Sequence, residues 1–170
     1  MASRAIYLHE TKPDPIESAP TKISEAFGNE KCPKLIIQCK SENSEIRQKA
    51  LAVLCDELKN PLSIVACFKG PKAEELKSIT TLSNSLGRND LLSRVRAAEA
   101  LFEASKDGNG VSALLTEPES SILFNALIKA CRDESIDVKY FVFNCLSFIS
   151  NTPDGSRAIV KFSGVHEFLR

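Results

Sequence analysis

Net charge is missing from this sequence: 22 lysines and arginines balance 22 aspartates and glutamates. With a pI near 6.7, no long-range positive field gathers phosphates, and nucleic acid is not expected as a partner. Long apolar runs are missing too. None approaches the roughly 18 residues a membrane-spanning helix needs, so no membrane partner is expected. The segment from Met1 to Glu10 lacks the extended apolar centre of a signal peptide, and Ala2 stands where myristoylation requires glycine. The chain is therefore expected to stay in the cytoplasm.

Histidine is scarce. His9 and His166 are the only two, which leaves few possible members for a Cys-His or Ser-His-Asp constellation, and no nucleophile elbow accompanies them. No G-x-x-x-x-G-K-[ST] or G-x-G-x-x-G segment provides for a nucleotide. Asp107-Gly108-Asn109-Gly110-Val111 has the outline of a calcium loop, but Val111 fills the fifth position and Pro118 the twelfth, where a bidentate Glu is needed. A non-enzymatic chain follows, with no metal, no cofactor and no small-molecule substrate. None of the six cysteines lies in a C-x-x-C pair, and most sit in apolar periodic stretches. They read as small buried hydrophobes in a reducing compartment, in mild agreement with the absence of any Asn-x-Ser/Thr acceptor.

What is present is helical periodicity. Residues 1–20 contain Pro13, Pro15 and Pro20 without a sustained period and read as an extended N-terminal arm. From Thr21 onward, apolar residues recur at i, i+3, i+4 and i+7 between short breaks, so residues 21–170 are expected to form one all-α domain. Helices are expected at 21–27, 33–41, 44–59, 61–69, 72–86, 90–105, 119–132, 135–150 and 155–163, with another starting near Val165. Pro33, Pro61 and Pro118 mark first turns. Ser44, Asp90 and Ser135 are the expected N-caps, and Gly28, Gly70, Gly87 and Gly164 the stops. Lys106 to Gly110 reads as a loop.

Compared with itself, the chain repeats. Leu35 to Cys39 followed by Ile46-Arg47 and Ala50 to Leu54 matches Leu127 to Cys131 followed by Val138-Lys139 and Val142 to Leu146. Between them, Leu82 to Leu86 leads to Arg94 and Ala97 to Leu101, giving periods of 47 and 45 residues. Val95-Arg96 offers a second register for the middle unit, two residues on; the ungapped register also aligns Leu101 and both alanines. Leu54, Leu101 and Leu146 would form an apolar row through a stack of units. Arg47, Arg94 and Lys139 occupy first turns, where the helix dipole disfavours a cation, so a specific contact is expected there, with backbone carbonyls of the adjacent unit as candidates. The final unit lacks most of the helix that ought to close it, so the sequence is either truncated or its end face is covered by a partner.

Two stretches resemble the armadillo repeat. Ile46-Arg47-x-x-Ala50-Leu51-x-Val53-Leu54 resembles the second-helix core of that repeat, and Asn151 to Val165 resembles the junction leading into the next one. The similar segments cover residues 33–170 and imply an armadillo/HEAT-like right-handed helical solenoid of about three to three and a half repeats, the last incomplete. A narrower similarity runs through Thr21-Lys22, Ala26-Phe27-Gly28, Pro33-Lys34-Leu35, Ser41-Glu42, Arg47-Gln48, Ala50-Leu51, Leu54-Cys55-Asp56 and Pro61. It resembles the radial spoke head 14 family of armadillo proteins in motile cilia, and implies a structural role in the axoneme with radial spoke subunits as partners. The alternative is a soluble cytoplasmic armadillo adaptor for extended peptides. Armadillo importers use repeated Trp, and this chain has none. On the concave surface that the resemblance implies, Gln38, Thr81, Ser85 and Lys129 are the exposed polar positions available to a partner.

Overall fold

A computed structural model describes residues 30–70, 72–116 and 118–162. The expected arm, the expected helix at 21–27, the stops at Gly28 and Gly164, the start near Val165 and both histidines lie outside the described residues. Among the described residues there is no strand. The helices are α1 (Lys31–Cys39), α2 (Ser44–Glu57), α3 (Pro61–Phe68), α4 (Ala73–Leu76), α5 (Ser78–Leu86), α6 (Leu91–Ser105), α7 (Gly108–Leu114), α8 (Glu119–Ala130), α9 (Ile136–Ser150) and α10 (Pro153–Phe162). None of them is long and apolar enough to cross a membrane.

Local chemistry sets the starts. Asp90 and Ser135 cap α6 and α9 by accepting from the amides of Ser93 and Val138, and Asn60 caps α3 with Pro61 at the first helical position. α2 differs from expectation. Its cap is Asn43, which accepts from the Glu45 amide, and Ser44 is already inside the helix. The Asp107 to Gly110 segment also departs from the expected loop, because Asp107 caps a short helix, α7, that buries Val111 and Leu114. A Cβ on Gly110 would lie 1.9 Å from the Ala104 carbonyl oxygen, and one on Gly155 would lie 2.0 Å from that of Ile149. Both glycines let a short helix fold back against the end of the long helix before it.

The helix expected over 72–86 is broken at Lys77, whose φ of 50° is left-handed. The Leu76 carbonyl released there accepts from Lys40 Nζ at 2.7 Å and from Thr81 Oγ1 at 3.4 Å, while Lys77 O already accepts the Thr81 amide of α5 at 2.9 Å. The split lets α4 touch α1 and α3 while α5 continues along α6.

Packing arranges the helices in rows. α2, α6 and α9 stack side by side as a middle row, α1, α5 and α8 form a flanking row, and α3 meets α7. Leu54 and Leu101 are completely buried in the middle row, and Leu35, Leu82 and Leu127 line the flanking row at matching positions. Each fully buried leucine contributes about 1.5–3 kcal/mol of transfer free energy. Leu146, expected as the third member of the first row, is only half-buried, because no described helix stacks beyond α9. The cysteines also depart from expectation. Cys39, Cys55 and Cys145 are buried free thiols and Cys131 is a half-buried one, but Cys32 and Cys67 form a disulfide between α1 and α3, their Cα atoms 5.1 Å apart. Contact between helices 35 residues apart creates that pair, which no local spacing announces.

Candidate docking grooves and the junctions between units

The middle-row junctions are built on a repeated fork of hydrogen bonds. Arg47 is buried; its Nη1 donates to Ser41 O at 2.7 Å and Glu42 O at 3.4 Å, its Nε to Ser93 Oγ at 3.0 Å, and its Nη2 pairs with Asp90 Oδ2. Arg94 repeats the pattern one unit on. Its Nη1 donates to Arg88 O at 3.2 Å and Asn89 O at 3.0 Å, and its Nε to Asp133 Oδ2 at 2.8 Å. The carbonyls belong to the arginine's own unit and the carboxylate to the next one, whereas the expectation placed the carbonyls in the adjacent unit. A planar five-donor fork suits this double duty. Arg96, the other register candidate, pairs instead with Glu99 within its own helix. Lys139 is half-buried at the third equivalent position, and its charge acts back on Asp133.

The carboxylates are tuned by this arrangement. Burial pushes the Asp90 carboxyl up, but hydrogen bonds from Ser93, Gln48 and Arg47 outweigh it and hold the pKa well below the usual carboxylate range. Asp133 follows the same logic. Burial raises it, while the Ser135 amide and the Arg94 guanidinium bring it below its ordinary value. The thiols move the opposite way: burial pushes Cys39 and Cys145 up to about 12, partly opposed by Arg47 and by Ser105 respectively. Both remain protonated at neutral pH and are poor nucleophiles. Among the described residues, no group of three or more His, Cys, Asp or Glu could hold a metal ion.

Two adjoining grooves cross the flanking row. The smaller, of about 230 Å³, lies between α1 and α5 beside Lys40, Lys77 and Thr80; the larger, of about 710 Å³, opens between α5 and α8. Asn84 and Arg88 line both grooves, so the two form a continuous track. Of the four expected contact positions, Lys129 is exposed on the larger groove and Gln38 is half-buried on α1. Thr81 and Ser85, expected to be exposed, are buried beneath the smaller groove. Their hydroxyls bond back to the carbonyls of Lys77 and Thr81 at 2.9 and 3.0 Å, which occupies the groups a partner would need. Arg132 and Glu134 complete the larger groove with Lys129. Asn84 and Arg88 escape a reading of the sequence because they fall beside the Gly87 break, and only the helix packing turns that break into a groove floor. The exposed amide and cationic donors along the track suit the carbonyls and carboxylates of an extended polypeptide.

No family model and no curated protein matches the chain. Crystal structures of two engineered proteins are similar to it over 79% of its length: one has a TM-score of 0.64 at 23% identity, and the other 0.63 at 22%. The chain covers 51% of the first and 31% of the second, so it spans about half their length or less. At that identity the likeness shows the fold alone. The class of protein is thus an all-helical stack whose consecutive units are joined by arginine–carboxylate forks.

Proposed function

We propose that this chain is an armadillo-type solenoid segment serving as a non-enzymatic structural component of the radial spoke in the axoneme of motile cilia, where it binds neighbouring spoke subunits. The observation that carries this reading is the fork that recurs from Arg47–Asp90 to Arg94–Asp133. It ties consecutive units through buried and half-buried side chains, and such stiffness suits a permanent scaffold better than an enzyme that must open and close. The segments around Thr21, Phe27 and Pro33 that resemble the spoke family add the ciliary placement. The test is to tag the chain in a ciliated cell and to extract isolated axonemes with detergent and then high salt. Retention in the salt-resistant fraction supports the proposal; absence from purified axonemes overturns it.

The second reading, a soluble adaptor for extended peptides, is favoured by the Lys129–Arg132 groove and its link to Asn84 and Arg88. Quantitative release into the soluble fraction, with binding of an extended peptide lost on Lys129→Glu, would establish it instead.

A further inference from the structure

Charge is balanced over the whole chain, 22 cationic against 22 acidic residues, but not over the smaller groove between α1 and α5. Lys40 of α1, Lys77 at the break before α5 and Arg88 just after α5 line it, and no described carboxylate does. Two carboxylates reach its lining residues, and both are held outside it. Glu119 accepts from the amide and hydroxyl of Thr80, at 3.1 and 2.6 Å. Glu42 meets Arg88 only at 3.3 Å and is itself 86% exposed, a pair with which water competes. Lys40 Nζ is anchored on the Leu76 carbonyl, a neutral group that fixes its place without cancelling its charge. Lys77 forms no ion pair among the described residues. Its left-handed backbone carries a cost that glycine would avoid, yet a lysine stands there, beside the groove.

We propose that the smaller groove holds a phosphorylated serine or threonine side chain of an extended partner segment, whose flanking residues run into the larger groove. The inference rests on the peptide-groove reading given above and names its ligand. A phosphate monoester carries close to two negative charges at neutral pH and three acceptor oxygens. Lys40, Lys77 and Arg88 supply three cations for it, and the planar Arg88 fork suits two of those oxygens at once. The groove, of about 230 Å³, has the size of one such side chain rather than of several residues, and the adjoining one of about 710 Å³ accommodates the flanks. That larger groove carries both signs, with Lys129 and Arg132 beside Glu134, so selection for an anion resides in the smaller one. Three cations in one small groove match a single phosphate rather than a nucleic-acid backbone. The loose Glu42 pair holds the Arg88 guanidinium in the free chain and competes with the ligand for it.

The test is binding of the full chain to an arrayed peptide library with a central phosphoserine and randomised flanks, against the same library with unmodified serine. Fluorescence anisotropy then measures the affinity of the strongest phosphopeptide. The expected result is binding at least about tenfold tighter than to the unmodified counterpart. Lys77→Gly should weaken that binding about tenfold without lowering the melting temperature, since glycine tolerates the left-handed backbone. Glu42→Gln should strengthen it by about two- to fivefold by freeing Arg88. Equal binding of both libraries leaves the peptide groove standing and overturns phosphate recognition; binding of neither overturns both. Displacement of the phosphopeptide by an equal concentration of inorganic phosphate or inositol hexakisphosphate makes the groove a free-anion site and overturns the proposal, as does wild-type affinity in Lys77→Gly.

Discussion

Replacing Arg47 by alanine removes four hydrogen bonds at once: to Ser41 O, Glu42 O, Ser93 Oγ and the Asp90 carboxylate. The Arg47 side chain is only 6% exposed, while Asp90 retains 26% exposure and keeps the Ser93 amide and Gln48 as partners. Breaking a fully buried pair costs about 3–5 kcal/mol, and the partial solvation of Asp90 brings the expected loss down to about 2–4 kcal/mol. For a domain of this size, that lowers the melting temperature by roughly 4–16 °C. The same variant changes the response to acid. Asp90 titrates lower in the folded chain than in the unfolded one, so its contribution is complete above the ordinary carboxylate pKa near 4 and fades as pH falls through the lower folded value. Arg47→Ala removes one source of that depression and should flatten the loss of stability between neutral pH and pH 3. Urea titrations at several pH values, read by far-ultraviolet circular dichroism, measure both effects. Arg96→Ala is the control, because its i,i+3 pair with Glu99 is 39% exposed on the arginine side and contributes less than about 1 kcal/mol. An Arg47→Ala protein as stable as the Arg96→Ala protein, or one with the wild-type acid response, would refute the junction as described.

Leu54→Ala should cost about 2–5 kcal/mol in a urea melt, and Leu146→Ala clearly less, since Leu54 is completely buried and Leu146 half-buried; equal losses would contradict the packing. Gly155→Ala should lower the melting temperature although alanine favours helices, because its Cβ would fall 2.0 Å from the Ile149 carbonyl oxygen. Alkylation of the denatured, unreduced chain should modify four thiols and leave Cys32 and Cys67 protected until reductant is added; mass spectrometry showing six modified cysteines would remove the bridge.

Much of the architecture is legible in the sequence because it rests on local rules. Apolar residues at helical spacing, capping side chains such as Asp90 and Ser135, and an ungapped self-match placed the long helices within about two residues of their observed limits. The equivalence of Arg47 and Arg94 was also readable, since a cation in an unfavourable first turn, recurring at a fixed period, signals a partner. What that partner is depended on tertiary structure. The carboxylates of Asp90 and Asp133 lie 43 and 39 residues away along the chain, and no local pattern assigns them.

The remaining differences have the same origin. α7 forms from a glycine-rich segment because packing against α6 rewards the close approach that Gly110 permits. The helix over 72–86 breaks at Lys77, where the side chains of Lys40 and Thr81 supply donors for the Leu76 carbonyl. Thr81 and Ser85 look like surface residues by type, yet their helix lies between α1, α6 and α8, and hydroxyls satisfied within their own helix can be buried at little cost. By itself, the sequence determined which segments are helical and that they repeat, because those properties follow from side chains a few residues apart. Only the tertiary structure decided which cysteines pair and which polar groups face a groove, because each depends on helices that meet only after the chain has folded.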